Sequence, residues 1–556
     1  MFDSAFREVN EWLINNGFER DATETRLFAY NGHLHCHKEG IPVKLCFDNL
    51  DFQDLPDIYL KEPRPECLKK FMPHIETDRK ICYLNIETYR LDPYRPVQTI
   101  VNCLDQATNV LNENIAGKNI SDIDIELSAY WHPARKGIAL SRHQSGDVVE
   151  FNLITYVSPL GTNSSLIAIG HANEILKYKN RKEVTSSDKD NKSVIWIKIN
   201  KSVFLSVDIE WPPKHFSSFY NWLQLIDRTA AATLKKILGT KNGAQSDVLI
   251  ILETNSGLIG VRIEVPLDLF QKNPSRFRKQ LLIDKGLSKI KFTRVVIDDL
   301  SSDFVFSRNL QGKNLSSKNI ALIGCGTIGG YLSRLLVQAG AGSKSGNLAL
   351  YDEQLLSVGN LGRHYLDENY LYENKAEACQ HKLHAEFDSI NIKCHPKEFN
   401  VVDNLENFDL IIDATGREPF SLSLNHQSVR LHNDGVRRPD ILYVWVDGNG
   451  YCGRALIYDG TGGCYRCLQD LRGCDKFPAL KSEDDRVPMK YKCGESFVPY
   501  PASVSVQTAG LGLEVVLDWV NGKTKHHFHN RNFHEKAREH KDQKLKPTKG
   551  CPACQN

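Results

Sequence analysis

Along the first hundred residues the apolar positions fall at helical spacing, then alternate, then return to helical spacing. Phe6, Val9, Trp12 and Leu13 share one face of an N-terminal helix. Residues 24–30, 43–49 and 58–60 predict strands, and Glu62-Pro-Arg-Pro65 a turn. Beyond Pro93 and Pro96, the apolar series Val97, Ile100, Val101, Leu104, Ala107 and Leu111 predicts a long helix. The middle of the chain mixes both periods: residues 193–205 and 247–265 read as strands, 216–238 as one helix, 186–192 as a polar loop. Trp131-His132-Pro133 reads as turn and core. From residue 308 strand and helix alternate, the pattern of a doubly wound parallel sheet. These shifts divide the chain at 1–118, 119–307 and 308–556, the first two blocks α+β and the third α/β. The His- and Lys-rich residues 522–548 read as solvated surface, with no metal role for His526, His527 and His529.

Charge narrows the picture. The net charge is +2 over 556 residues, so no global basic field points to nucleic acid or an anionic membrane. No run of eighteen apolar residues exists, and Met-Phe-Asp-Ser-Ala-Phe-Arg lacks a signal-peptide core, so a cytoplasmic protein is expected. Fifteen cysteines is high for that compartment, where disulfides are rare. Cys464-Tyr-Arg-Cys467 and Cys551-Pro-Ala-Cys554 can supply four thiolates to a tetrahedral Zn2+, pinning the end of the chain to the third block.

The third block carries the sharpest chemistry. The apolar segment ending at Ile323 runs into Gly324, Gly326 and Gly329, a G-x-G-x-x-G turn ahead of a helix over 331–338. Such a turn lets the backbone approach a phosphate at a helix N-terminus, but it serves NAD, FAD and ATP alike. A second strand, 347–351, ends in Asp352, placed for ribose hydroxyls. Asn360, Arg363, Lys375 and Asp413 follow in order. Arg363 and Lys375 suit charge building up at an attacked phosphorus, and Asp413 suits Mg2+.

This ordered set resembles the adenylating enzymes that activate ubiquitin and the bacterial sulfur carriers, of ThiF/MoeB type. The resemblance implies a Rossmann-like domain that uses ATP and Mg2+ to join AMP to a protein's C-terminal carboxylate. It also implies nucleotide contact by Asn360, and an Arg308 that reaches into a partner subunit's site, hence a homodimer. The knuckle at Cys464 and Cys467 is similar to the zinc knuckle of the bacterial members.

An enzyme that hands the acyl group onward captures it as a thioester. Cys493, in Tyr491-Lys-Cys-Gly-Glu, lies where related enzymes carry that thiol, with Lys492 beside it; Cys474 competes. Cys379 and Cys452 read as structural. The first block resembles ubiquitin-conjugating domains in its order of elements. Pro73-His-Ile-Glu-Thr-Asp78 ahead of Lys80-Ile-Cys82 looks like the His-then-Cys arrangement of divergent bacterial members, making Cys82 the conjugating cysteine and His74 a shaper of its loop. The His-Pro-Asn signature is absent, which leaves the oxyanion without an assigned donor. Cys103 falls on the apolar face of the long helix and reads as core; Cys36, Cys46 and Cys67 have no supporting context.

The whole order resembles the fused ubiquitin-activating and ubiquitin-conjugating enzyme of bacterial CBASS anti-phage operons. That resemblance implies a cGAS-like cyclic-nucleotide synthase as the protein activated and a target amine as its acceptor. Rivals are a thiamine- or molybdopterin-type sulfur-carrier adenylyltransferase, a nicotinamide-dependent oxidoreductase and a non-catalytic scaffold. The first leaves the N-terminal block without purpose. The second leaves Asn360, Arg363 and the zinc cysteines unexplained, and the intact Arg363, Lys375 and Asp413 speak against the third.

Overall fold

The computed structural model describes residues 2–554 apart from 24–25, 37–38, 64, 69–71, 77, 85–90, 133, 145–148, 158–162, 183–184, 187–191, 206–210, 239–245, 266–289, 388–389, 403–404, 483–484, 486–488 and 493–494. The chain forms two compact units, Met1–Ser301 and Ser302–Asn556.

In the first unit the helix Phe2–Asn15 buries Val9 and Leu13 beneath an antiparallel sheet of Glu19–Arg20, Phe28–Cys36, Glu39–Phe47 and Asp57–Leu60. The strand expected to stop at Tyr30 continues through Asn31 and Gly32 to Cys36. Gly32 makes room for Phe18, whose Cδ1 would lie 2.3 Å from an added Cβ. The long helix, Pro96–Ala116, starts on a proline that has no N–H to leave unpaired, and stops at Gly117 in the left-handed region at φ 68°. It buries Ile100, Cys103, Leu104, Ala107 and Leu111 in the same core, so Cys103 is structural.

Eight further strands follow in the order Asn163–Gly170, Arg135–Ala139, Lys291–Asp299, Gly257–Glu264, Asp247–Thr254, Lys192–Lys198, Val149–Val157 and Thr185–Ser186. Val149–Val157 also pairs with Asn163–Gly170, which closes the sheet into a barrel. The strand expected over 193–205 ends at Lys198, where its parallel partner turns into the hairpin after Thr254. The single helix expected over 216–238 is two, Phe216–Ile226 and Arg228–Leu238. Asp227 breaks it: its Oδ1 accepts the N–H groups of Thr229 and Ala230 at 2.9 and 3.1 Å, an N-cap inside a continuous apolar pattern. Trp131 is buried and donates Nε1–H to the Gly260 carbonyl at 2.9 Å. Three ligand-type side chains, His143, His171 and Glu174, meet at the start of the helix Ala172–Lys182. There Glu174 Oε2 accepts the His171 N–H and the Ser141 hydroxyl, each at 2.8 Å, as a first-turn cap.

The second unit is built on a sheet ordered Ile392–His395, Asn347–Tyr351, Asn319–Ile323, Leu410–Asp413, Asp440–Asp447, Cys452–Tyr458 and Phe528–Asn532. The first five strands are parallel and the last two antiparallel. The helices Thr327–Gln338 and Ala502–Val520 contribute Leu332, Leu336, Val515 and Val516 to the core on one face. The helix Glu418–Asn433 contributes Leu424 and Val429 on the other. Asn319–Ile323 pairs on one side with Asn347–Tyr351 and on the other with Leu410–Asp413. Its carboxyl end is therefore the switch point where such sheets open a crevice. The basic stretch 522–548 departs from the expected solvated surface: His527 and His529 are buried. Phe528 inserts into the core and pairs the segment with Cys452–Tyr458, carrying its neighbours inward. Among the described residues no helix is long and apolar enough to cross a membrane.

Candidate active site

At the switch point the chain turns at Gly324, φ +86°, with its N–H bonded to the Tyr351 carbonyl at 2.8 Å. A Cβ at Gly329 would lie 1.8 Å from the Gly324 carbonyl oxygen, so the helix can start only this close because residue 329 has no side chain. Gly326, the N-cap of Thr327–Gln338, has nothing within 4 Å of where its Cβ would be. This helix N-terminus opens onto a cleft lined by Gly324, Gly326, Asp352, Lys397, Thr415 and Arg417. The cleft is also lined by Glu353 and Glu398, which pair with Arg417 at 3.8 and 3.7 Å, so it is the N–H groups of the helix start that suit a phosphate here.

The loop is held from behind. Asp352 accepts the Cys325 N–H on Oδ2 and the Gln354 N–H on Oδ1, both at 2.8 Å. His364 is buried; its Nδ1 accepts the Leu366 N–H at 3.0 Å, so Nε2 carries the hydrogen donated to the Cys325 carbonyl at 2.9 Å. Burial pushes the His364 pKa down to about 4, and the ring is neutral.

Asp413 ends the neighbouring strand and is buried. Its Oδ1 accepts the Thr415 N–H at 3.0 Å and hydroxyl at 2.7 Å, and its Oδ2 the Ser421 hydroxyl at 2.6 Å. Burial raises its pKa despite those bonds. A cation beside it would offset that burial, which is how a carboxylate here fits Mg2+. Asp413 also lines a second cavity of about 410 Å³ with Tyr443, Trp445, Asp447, Arg454 and Tyr465.

Lys375 is buried rather than on a solvated helix face, and its Nζ donates to Gln354 Oε1 at 2.8 Å. Burial lowers its pKa. Arg363 points elsewhere: Nη1 donates to the Val498 carbonyl at 3.0 Å and the guanidinium lies 4.2 Å from the Tyr500 ring centroid. Asn360 Oδ1 accepts the Ser357 N–H and hydroxyl at 3.1 and 3.0 Å. Arg308 is exposed and lies over the Phe304 ring at 5.7 Å. So the cleft gathers Gly324, Gly326 and Asp352, with Gly329 and Lys375 behind it and Asp413 alongside. Asn360, Arg363 and Arg308 are not among its lining residues. Sequence reasoning missed His364, Lys397, Arg417 and Tyr500. Only His364 gave a signal, following Arg363 directly ahead of the apolar Tyr365-Leu366.

The four knuckle cysteines converge. Sulfur separations are 3.9 Å for Cys464–Cys467, 3.9 Å for Cys464–Cys551 and 3.5 Å for Cys467–Cys554. A tetrahedron with metal–sulfur bonds of about 2.3 Å has edges of about 3.8 Å. The Cys464 thiol and the Thr548 N–H both bond to the Cys467 sulfur and lower its pKa. The set can hold a metal ion. Cys379 and Cys452 are buried, as their structural reading requires. Cys474 is exposed on a turn where Asp470 Oδ1 accepts its N–H at 2.9 Å. Cys493 and the side chain of Lys492 lie outside the described residues; the flanking strands Met489–Lys492 and Glu495–Phe497 pair antiparallel. In the first unit Cys82 is exposed, and its N–H donates to the His74 carbonyl at 2.7 Å.

Comparison with known proteins fits this geometry. Residues 302–553 match the ThiF family and residues 12–139 the prokaryotic E2 family B. An ATP-dependent ubiquitin transferase-like protein Cap2 from Pseudomonas aeruginosa is 32 % identical over 93 % of this chain and 93 % of its own. The protein of the same name from Escherichia coli is 27 % identical over 90 % of this chain and 89 % of its own. The crystal structure of E. coli MccB with MccA-N7isoASN is 19 % identical, covering 46 % of this chain and 69 % of that one at a TM-score of 0.33. ThiF-type adenylation implies ATP and Mg2+. With that length of shared sequence, a ThiF-family second unit and an E2-family segment ahead of it, the chain belongs to the ATP-dependent ubiquitin transferase-like Cap2 family of enzymes.

Proposed function

We propose that the second unit adenylates the C-terminal carboxylate of a protein, and that the acyl group passes through Cys493 to Cys82 and on to a target amine. The observation that carries this reading is the cleft at the switch point. Backbone N–H groups at a helix start and the Asp352 carboxylate stand around one opening, with the buried Asp413 at the end of the neighbouring strand lining a second cavity, on the same chain as an E2-type segment with an exposed cysteine. Gly324, Gly326 and Gly329 shape the phosphate turn, Asp352 takes the ribose and Asp413 holds Mg2+. Bound ATP supplies the activated phosphorus. Lys375 and Arg363 carry charge toward it, Arg363 after leaving Tyr500, with Asn360 contacting the nucleotide and Arg308 reaching across a homodimer.

Further parts of the reading rest on the family. Zn2+ sits at Cys464, Cys467, Cys551 and Cys554 and is structural, since four thiolates leave no open position. The protein activated is the cGAS-like synthase of a CBASS anti-phage operon, in the cytoplasm. The chain works as a conjugating domain over 1–118, a connector over 119–307 and an adenylating domain over 308–556. Pyrophosphate exchange from ATP, dependent on a protein C-terminus, tests the first step. Exchange stimulated by the synthase and lost when its last residues are removed is the expected result. Exchange that ignores the synthase but responds to a sulfur-carrier protein overturns the assignment.

A further inference from the structure

In the first unit the strands Arg135–Ala139 and Asn163–Gly170 run parallel, with Ala139 opposite Ile169. They leave the sheet together, and the Leu140 N–H still reaches the Ile169 carbonyl at 2.8 Å. Residues 141–143 therefore lie beside the start of the helix Ala172–Lys182. His143, His171 and Glu174 each offer a ligand atom there, all within 4.8 Å of one another. The two imidazoles meet edge to face, ring centroids 4.9 Å apart at 86°. Two imidazoles on one ion, bonded at about 2.0–2.1 Å and roughly 90–110° apart, place their ring centres about 4.5–5.2 Å from each other. Gly170 leaves room for the third ligand: a Cβ there would lie 2.8 Å from Glu174 Oε2.

A helix cap accounts for only part of this. Glu174 Oε2 accepts the His171 N–H and the Ser141 hydroxyl. Among the described residues, Glu174 Oε1 and both His171 ring nitrogens make no hydrogen bond. Capping needs one carboxylate; it does not need two imidazoles turned to the same point. Ser141 links the carboxylate to the second imidazole, its oxygen lying 2.9 Å from His143 Nε2. Polar partners of that kind orient imidazoles that bind metal. His143 is buried, edge-on to the Trp196 ring at 5.4 Å, while His171 is exposed, so the group has an apolar wall on one side and solvent on the other.

We propose that His143, His171 and Glu174 bind a divalent first-row metal ion such as Zn2+ or Co2+. Two nitrogens and one carboxylate oxygen suit such an ion better than Mg2+ or Ca2+, which prefer oxygen ligands. The positive end of the helix opposes any cation, and the Glu174 charge offsets it. Three protein ligands leave a position open to water, unlike the four-thiolate set of the second unit. The ion ties the first turn of Ala172–Lys182 to the loop after Arg135–Ala139, and its binding requires no step of the acyl relay.

The test uses the full chain, dialysed against a weak chelator that draws metal from an open three-ligand site before a closed four-thiolate one. Co2+ is then titrated in and followed by absorption and by the metal retained through a desalting column. Co2+ on nitrogen and oxygen absorbs weakly in the visible, whereas Co2+ on thiolate adds a strong sulfur-to-metal band in the near ultraviolet. One equivalent with the first signature is expected in the wild type, and none in His171→Ala or Glu174→Gln. Glu174→Gln keeps an oxygen for the His171 N–H and the Ser141 hydroxyl, so its metal-free melting temperature should match the wild type. Full uptake by either variant overturns the proposal, as does wild-type uptake carrying only the thiolate signature. A lowered metal-free melting temperature in Glu174→Gln would mark a broken cap, and His171→Ala, whose backbone N–H is untouched, then decides alone.

Discussion

At Asp413 one buried carboxylate takes bonds from Thr415 and Ser421 and still has its pKa raised by burial. Replacement by alanine should leave the fold intact, since the three donors are local, yet cost on the order of 10²–10³ in pyrophosphate exchange. Near-normal exchange in a folded Asp413→Ala protein would remove Asp413 from the metal role. Gly329→Ala should act through structure: its Cβ meets the Gly324 carbonyl at 1.8 Å, so both melting temperature and ATP binding should fall together. His364 supplies a pH signature. Its pKa drops from 6.5 to about 4 on folding, so the unfolded chain binds a proton first. Stability is then unaffected above about pH 6.5 and falls as pH drops toward 4, by up to about 3 kcal/mol. His364→Gln, which retains an N–H for the Cys325 carbonyl, should flatten the melting-temperature profile across that window. An unchanged slope would mean that other groups set the acid limit.

Elements show why some of this was legible in sequence and some was not. Gly324, Gly326 and Gly329 could be read because the backbone demands them: a positive φ, an open N-cap and a near-contact of main chains. Asp413 could be read because it sits at a strand end beside them. Lys397 and Arg417 could not. Their place in the cleft comes from the sheet bringing the ends of Ile392–His395 and Leu410–Asp413 beside the glycine turn, and isolated basic residues carry no period. Asp227 was hidden for the opposite reason, an apolar period continuing across a cap; Asp227→Ala should cost the first unit about 1 kcal/mol by denaturant unfolding. The knuckles were legible as two C-x-x-C pairs. Bringing them together ties the last residues to the helix Glu418–Asn433, through Asn425 Nδ2 on Cys464 Sγ at 3.6 Å. Structural zinc contributes roughly 10–16 kcal/mol in small domains. Cys467→Ser should therefore cost bound metal and lower the melting transition of the second unit while the first unit's stays in place. Elemental analysis with calorimetry checks both.

For the molecule as a whole, the cleft at the glycine turn and Cys82 belong to different compact units, so the proposed relay requires the acyl group to pass from one unit to the other. In the proposed scheme, ATP chemistry at the second unit sets the order, Cys493 before Cys82. Cys493→Ala should form adenylate but no thioester; Cys82→Ala should stall as a reductant-sensitive band. The wild type should proceed to a reductant-resistant amide. Thioester surviving in Cys493→Ala and lost in Cys474→Ala would move the first thiol to Cys474. One contact bears on how such variants are read. Arg363, proposed to serve the phosphate, rests on Val498 and Tyr500, which follow the strand Glu495–Phe497 in the chain. If Arg363 moves to the nucleotide as proposed it gives up Val498 and Tyr500, so an Arg363 variant's exchange rate and thioester yield should be scored as separate phenotypes.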